Sequence, residues 1–276
     1  MNIIGIGHAG CQVAKAFKNY DQYKIFCIDT ENKGYPGFLR IKEENSHEDY
    51  EKNYKKLNLN KCTGETTVIL SGTGKVSGSA LRVLEQLKGS LLNVIYIKSD
   101  ETKKSGESTT RERVVLGVLQ QYARSNMLER LYIISNKNVE SIVGDVTIKN
   151  YWNEINNVIS STYHMINVFG KTEPLLVNKV AVNQTAKIAT FSVVNFVTGK
   201  ERLFYDLEHA RVKNYFYGIN NKDLEDSKTL SKIRDFVKVK NQDKVDAGFM
   251  IYSTDYEDNY VYSLHYASYI QEQNIE

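Results

Sequence analysis

The stretch MNIIGIGHAGCQVAKAF, residues 1–17, sets glycines at positions 5, 7 and 10 directly behind a short apolar run. Asn2 to Gly5 reads as a buried strand. Ala9 to Tyr20 reads as a helix whose inward face carries Val13, Ala16 and Phe17. Glycine between a parallel strand and a helix lets backbone N–H groups and the helix start approach a phosphate with no side chain between. It also serves simply to make a tight turn. The spacing satisfies G-x-G-x-x-G, and Asp29 closes the next apolar strand, Tyr23 to Asp29, where a dinucleotide site holds a ribose hydroxyl.

A second loop of the same kind follows the strand Thr66 to Ser71: Gly72-Thr-Gly74-Lys-Val-Ser77-Gly78-Ser79. Lys75 lies inside it and Val76 follows, so it is not a Walker motif. Both loops fall at the carboxyl ends of expected parallel strands, where open α/β sheets bind ligands. Two such loops on one edge point to a nucleotide or phosphate more strongly than either alone.

Strand–helix alternation continues through helix 80–88, strand 92–98, helix 108–125, strand 131–135 and a long helix, 149–168. Residues 46–57 are polar and helix-prone, with Ser46 as a cap. In the long helix Trp152, Ile155, Val158, Ile159, Tyr163 and Ile166 recur at helical spacing, as do Val114, Val115, Val118 and Leu119 in helix 108–125. The strands are too uniformly apolar to face water, which argues a mostly parallel sheet covered on both sides. After Pro174 the pattern shifts to alternating strands around Thr198-Gly199, a helix near 226–238 and two tyrosine-rich strands. The expected fold is α/β: a mostly parallel Rossmann-like nucleotide sheet, a long central helix (about 149–169) and a smaller α+β C-terminal domain. Residues 1–170 form the first domain and 171–276 the second.

Bulk composition narrows the function. The 276 residues carry 36 Lys and Arg against 33 Asp and Glu, a formal net charge of +3. That is small for a protein living by phosphate-backbone neutralisation, so no direct nucleic-acid binding is expected. Cys11, Cys27 and Cys62 have no CxxC spacing, and the five histidines (His8, His47, His164, His209, His265) no ligand spacing. A reducing, cytoplasmic setting without a protein-held metal follows. No apolar run reaches membrane-spanning length and no signal peptide opens the chain, so no membrane insertion is expected. The C-terminal tyrosines (Tyr252, Tyr256, Tyr260, Tyr262, Tyr266, Tyr269) fit packing better than base stacking, because few basic residues interleave with them.

Gly7-His-Ala-Gly10-Cys-Gln12-Val-Ala-Lys-Ala-Phe17 resembles the first nucleotide loop of tubulins, G-Q-x-G-x-Q-[IV]-G-x-x-F. Gly5-Ile-Gly7 with Gly10-Cys11 is similar to the bacterial relative FtsZ. Ile28-Asp29-Thr-Glu31 resembles that family's I-N-T-D segment. Gly74-Lys-Val-Ser-Gly-Ser-Ala80 sits where the family carries G-G-G-T-G-[ST]-G. Glu107-Ser-Thr-Thr-Arg111 matches E-G-x-x-R, and Leu131-Tyr-Ile-Ile-Ser-Asn136 resembles I-V-I-P-N. Asn156-Asn157-Val-Ile159 falls where the central helix offers a base-reading residue. Order and spacing hold across residues 1–169.

The resemblance implies a guanine-nucleotide-binding protein, with GTP or GDP as ligand and any Mg²⁺ arriving with the nucleotide. It also implies head-to-tail self-assembly into filaments, with a possible adaptor protein as a further partner. The implied binding residues are Gly7, His8, Ala9, Gly10, Gln12, Asp29, Gly74, Lys75, Ser77, Gly78, Ser79, Glu107, Arg111, Asn136 and Asn157. Glu107 would accept from a ribose hydroxyl and Arg111 would meet a phosphate, one helical turn apart. Asn136 and Asn157 would read a guanine edge.

The departures bear on catalysis. Lys75 and Val76 replace two glycines, and the chain between Asp29 and Thr66 lacks a G-A-G-like loop. In the family, acids from the next subunit orient the attacking water through N-x-D-x-x-D. Here the region reads Asn167-Val-Phe-Gly-Lys-Thr-Glu173, with Glu173 the one acid and the one candidate catalytic residue. GTP hydrolysis at a subunit interface is therefore an open expectation. A non-catalytic scaffold of the same fold, and a Rossmann-type NAD oxidoreductase using Asp29, are the alternatives.

Overall fold

A computed structural model of the chain describes residues 1–100, 106–241 and 244–270. It divides into two compact units, Met1–Ser161 and Thr162–Glu276.

Unit 1 holds β1 (Asn2–Ile6), α1 (Gly7–Ala16), β2 (Lys24–Asp29), β3 (Phe38–Arg40), α2 (His47–Lys52), β4 (Thr66–Leu70), α3 (Ala80–Gln86), β5 (Leu92–Lys98), α4 (Gly106–Arg124), β6 (Arg130–Ser135), α5 (Asn136–Val143) and the first half of α6 (Tyr151–Lys171). Its six strands are all parallel, in the order β3-β2-β1-β4-β5-β6. Every residue of β1 and β4 is buried, as the unbroken apolar runs foretell. The order reverses between β1 and β4. From β1 the chain moves one way across the sheet, and from β4 the other. That reversal opens a crevice at the strand carboxyl ends, and the two glycine-rich loops are the segments leaving β1 and β4.

Several elements differ in extent from the sequence reading. α1 starts at Gly7 and tightens into a 3₁₀ turn, Phe17–Asn19. α2 ends at Lys52; Ser46 caps it, its Oγ accepting from the Asp49 N–H at 3.1 Å. The greater part of the second glycine loop, Lys75–Ser79, is 3₁₀ helix. α5 has too few apolar residues to register as a helix in sequence, and only Val139 in it is buried. In α6 Ile155, Ile159, Tyr163 and Ile166 are buried as expected, but Trp152 is 58% exposed and lies edge-on to Tyr151. Val114 of α4 is likewise exposed. Both sit at the margin of their helix's apolar stripe.

Unit 2 takes the second half of α6, then β7 (Leu176–Asn178), β8 (Ile188–Val194), β9 (Glu201–Leu203), β10 (Val212–Asn220), α7 (Asn221–Leu224), α8 (Ser227–Lys240), β11 (Asp246–Thr254) and β12 (Tyr260–Ala267). The strands run β8-β12-β10-β11-β7, with β9 on β8. β10 and β11 are parallel and joined through α8, a right-sized crossover; the other pairs are antiparallel. Successive residues of β10 face opposite ways. Tyr215, Tyr217 and Ile219 pack with Ile233 and Val237 of α8. Phe216 stacks on Phe169 of α6 at 5.7 Å, among Tyr252, Tyr260 and Tyr262. The tyrosine-rich strands are thus packing surfaces. Among the described residues no helix is long and apolar enough to cross a membrane.

Candidate functional site

The site is built at the strand reversal of unit 1. α1 leaves β1 with no linker, which forces Gly7 to φ +66°, a left-handed conformation that disfavours any side chain. Ile6 supplies no capping side chain, and the first turn holds no acid. The start of a ten-residue helix is therefore uncapped, with His8 and Ala9 exposed. Its N–H groups and the positive end of its dipole meet no acid of the helix's own first turn.

The glycines divide by what they do. A Cβ on Gly10 would stand 2.2 Å from the Ile69 carbonyl oxygen, and one on Gly5 2.5 Å from that of Gly10. These two let α1 lie directly on β1 and β4. In the second loop none of Gly72, Gly74 and Gly78 has positive φ. Gly72 admits Tyr96 Oη and Gly78 the His47 carbonyl of α2, while Gly74 faces open space. The loop therefore needs no left-handed residue, and Lys75 and Val76 occupy ordinary 3₁₀ backbone. The two loops meet: the Val76 side chain lies 3.6 Å from where a Cβ on Gly7 would be.

Hydroxyls hold the second loop in shape. Ser77 Oγ is 2.6 Å from the Gly74 carbonyl and 3.1 Å from that of Gly72, and Ser79 Oγ donates to the Val76 carbonyl at 2.8 Å. Ser77 and Ser79 are buried on these internal bonds. Lys75 is exposed. Ser71 and Thr73 meet Ser99, at the end of β5, within 3.3–3.4 Å.

Arg111 crosses from α4 to the loop. Its Nε donates to the Thr73 carbonyl at 3.1 Å, and its Nη1 lies 3.5 Å from Glu107. Only 19% of the Arg111 side chain is exposed against 87% for Glu107. The pair is one helical turn apart as the spacing requires, but the arginine alone is built into the site.

Asp29 is buried at the end of β2, and its Oδ1 accepts from the Thr30 N–H at 2.9 Å. Asn136 opens α5 and is half-buried; Asn157 is exposed on α6, beside the buried Asn156. Glu173 belongs to unit 2, exposed between α6 and β7.

Three residues to which the sequence reading gave no role here, His47 having been weighed only as a metal ligand, belong to this region. Tyr35 is buried; its hydroxyl is 2.9 Å from His8 Nδ1 and is also reached by the Gln12 amide. Burial, with Cys11 and Asp29 nearby, pushes its pKa well up. Glu112 is buried, and its carboxylate accepts from the Ser99 N–H at 2.9 Å. His47 leads α2 against Gly78, and its Nε2 is buried with no hydrogen-bond partner. Desolvation, then the nearby Arg111 charge, lowers its pKa against the opposing pull of Glu48 and Glu51. The signals were slight: a tyrosine between two glycines, a glutamate one residue past Arg111, a histidine after a capping serine. Cys11 is buried against the Gly5 and Ile28 carbonyls and its thiol pKa is pushed up, first by Cys27 and then by burial. It is no nucleophile.

No family model matches the sequence, and no curated protein matches it significantly. Solved structures do. The empty FtsZ dimer of M. jannaschii is 12% identical, with a TM-score of 0.68 over 100% of this chain and 92% of that one. TubZ of Bacillus thuringiensis serovar israelensis, in GDP-form protofilaments, is 16% identical, with a TM-score of 0.69 over 96% and 86%. CetZ2 of Haloferax volcanii, a GTPγS-bound protofilament, is 12% identical, with a TM-score of 0.66 over 96% and 92%. With a six-stranded parallel sheet, a 21-residue helix and a mixed C-terminal sheet in this order, the chain has the tubulin/FtsZ-like fold.

Proposed function

We propose that the chain binds a guanine nucleotide at the strand reversal of unit 1 and assembles head to tail into filaments. The observation that carries the first half is the uncapped start of α1. A left-handed glycine turn followed by the exposed His8 and Ala9, with no acid in the first helical turn, favours an anion there. Gly7, His8, Ala9 and Gly10 would offer backbone N–H groups to phosphate oxygens, and Lys75 would neutralise charge from the facing loop. Gln12 and Asp29 would line the same edge. Arg111 would hold the second loop and present its remaining guanidinium N–H groups, with Glu107 toward a ribose. Asn136 and Asn157 would read the base. Mg²⁺, if used, comes bound to the phosphates.

Ser77, Gly78 and Ser79 act in this reading through the loop's shape, since both hydroxyls are engaged and Gly78 is filled by α2. Nucleotide domain and closing helix are assigned to residues 1–170, and the C-terminal domain to 171–276.

The second half rests on the neighbours. TubZ occurs as GTPγS-form and GDP-form protofilaments, and CetZ2 as a GTPγS-bound protofilament. A heterologous contact of that kind repeats without closing. Glu173, exposed in unit 2, is the candidate acid for the next subunit's site.

Equilibrium binding of GTP, GDP, ATP and NAD, followed by light scattering on GTP addition, tests this. Guanine preference with scattering supports it. Binding without base preference, or NAD binding alone, refutes it. Scattering without phosphate release means a filament without turnover. A Glu173→Ala variant that assembles and releases phosphate unchanged removes Glu173 from catalysis.

A further inference from the structure

A cationic cleft lies beside α2. A cleft of about 600 Å³ opens between the chain leaving β3 and the segment following α2, with the buried Ser79 on its wall. Four cations line it: Arg40, Lys42, Lys55 and Lys56. One carboxylate, Glu44, accompanies them. Glu44 is engaged on both sides, with Lys42 Nζ at 3.5 Å and Asn53 Nδ2 donating at 3.2 Å. The lining side chains thus sum to +3, with Glu43 and Asp29 also within electrostatic reach of Tyr50 on the wall. Among the described residues no carboxylate pairs with Arg40, Lys55 or Lys56.

The two lysines do not hang on a loose loop. Gln86 of α3 clamps their segment from both ends. Its Oε1 accepts from Tyr54 Oη at 2.7 Å and from the Leu57 N–H at 3.2 Å, and its Nε2 donates to the Leu57 carbonyl. Arg40 is fixed from the opposite side as the last residue of β3, in register with Asp29 of β2. Like charges gathered in one concave site repel one another, and they gain only when an anion enters. A guanidinium and two ammonium groups on the walls of one cleft suit phosphate oxygens. The volume exceeds one phosphate and lies in the range of ligand pockets.

We infer that this cleft binds a polyphosphate anion, free or as the tail of a larger molecule, through Arg40, Lys55 and Lys56. The inference does not depend on a guanine site: Arg40, Lys55 and Lys56 lie outside it, and the cleft shares with its second loop the wall residue Ser79, whose hydroxyl is engaged on the Val76 carbonyl. Recognition runs through charge alone, so affinity is independent of any base and falls steeply with salt.

Calorimetric titration of the full chain with sodium tripolyphosphate, with and without saturating GDP, tests it. Wild type binds in both cases, and raising salt from 50 to 300 mM weakens binding at least tenfold by screening, salt values and factor being on the order of what a few exposed charges give. The double variant Lys55→Glu/Lys56→Glu and the single Arg40→Glu each lower that affinity by about tenfold or more while leaving GDP affinity unchanged. All three side chains are exposed, and circular dichroism confirms that the variants fold. ATP, GTP and CTP competing equally for the GDP-saturated protein places the tail of a nucleotide there; tripolyphosphate alone competing restricts it to the free anion. Absence of tripolyphosphate binding, or equal binding by wild type and the double variant, overturns the inference. So does a double variant that loses self-assembly when wild type takes up no tripolyphosphate, since the cleft is then a protein contact. Failure of wild type to bind GDP refutes the nucleotide reading alone.

Discussion

Arg111 Nε donates to the Thr73 carbonyl at 3.1 Å, so a residue of α4 fixes the position of a loop that leaves a different strand. A charged donor on a carbonyl contributes about 1.5–3 kcal/mol. Arg111→Ala should therefore lower unfolding free energy by about 2 kcal/mol in urea titration. Glu107→Ala should cost less than about 0.5 kcal/mol, because its side of the pair is solvated. Equal effects from the two would refute the asymmetry.

Gly10 and Gly74 should respond oppositely to alanine. A Cβ at Gly10 meets the Ile69 carbonyl at 2.2 Å, and overpacking against backbone costs about 3 kcal/mol. At Gly74 a Cβ meets nothing and the backbone is extended, so Gly74→Ala should be neutral to within about 0.5 kcal/mol. Guanidinium denaturation midpoints with matched slopes separate the two cases. Lowered GTP affinity in a stably folded Gly74→Ala chain would show that phosphate approaches there.

Tyr35→Phe removes a hydroxyl shared by His8 and Gln12, the two polar side chains at the start of α1. Loss of such bonds destabilises by about 1 kcal/mol. Thermal melts check the magnitude. Two-dimensional NMR should confine the shifts to the residues around His8, Gln12 and Tyr35.

A largely enclosed carboxylate of unit 2, its side chain 10% exposed, predicts an acid dependence. Glu201 Oε2 lies 2.7 Å from Lys240 Nζ and its Oε1 2.9 Å from His265 Nε2, with Ser192, Ser263 and Tyr215 also in reach. Burial raises the Glu201 pKa, but the bonds and charges of its partners outweigh it and hold the net value far below the ordinary 4.5. His265 is lowered below 6.5, burial outweighing the pull of Glu201, so at neutral pH it is the neutral partner and Lys240 the cation. Both folded values lie below the unfolded ones, so the unfolded chain binds more protons in acid. His265 then contributes stability above pH 6.5 that is lost below it, and Glu201 stability above pH 4.5 that is lost on further acidification. Glu201→Gln leaves the Lys240 ammonium, 24% exposed, beside a neutral group and should cost about 1–2 kcal/mol at pH 7. Its denaturation midpoint should also fall less between pH 5 and 3 than that of wild type. A wild-type midpoint flat from pH 7.5 to 3.5 would contradict this account.

Much of unit 1 could be read in advance because its strands are buried on both faces and its helices are strongly periodic. The first loop was legible for the same local reasons. What glycines do was not: Gly10 and Gly78 admit neighbouring backbone, a purpose indistinguishable in sequence from phosphate approach. Trp152 was misplaced because periodicity gives a stripe but not where its edge meets solvent. The parallel pairing of β10 and β11 escaped because each strand's own alternation fits either direction; the helix between them was the deciding clue. Tyr35, Glu112 and His47 depend on contacts far apart in the chain, which no local pattern encodes.

β12 lies between β8 and β10 and pairs along both its edges, although it is the last strand of the chain described. Val261 faces Val194 across 67 residues of sequence, and Tyr266 faces Val212. During synthesis β8 and β10 therefore leave the ribosome with their mating edges bare, and those edges stay open until residues 260–267 emerge. Unit 1 completes its sheet as it is made, whereas unit 2 waits for its final strand. A stalled or truncated chain would expose two apolar strand edges at once, so aggregation during translation should concentrate in this interval.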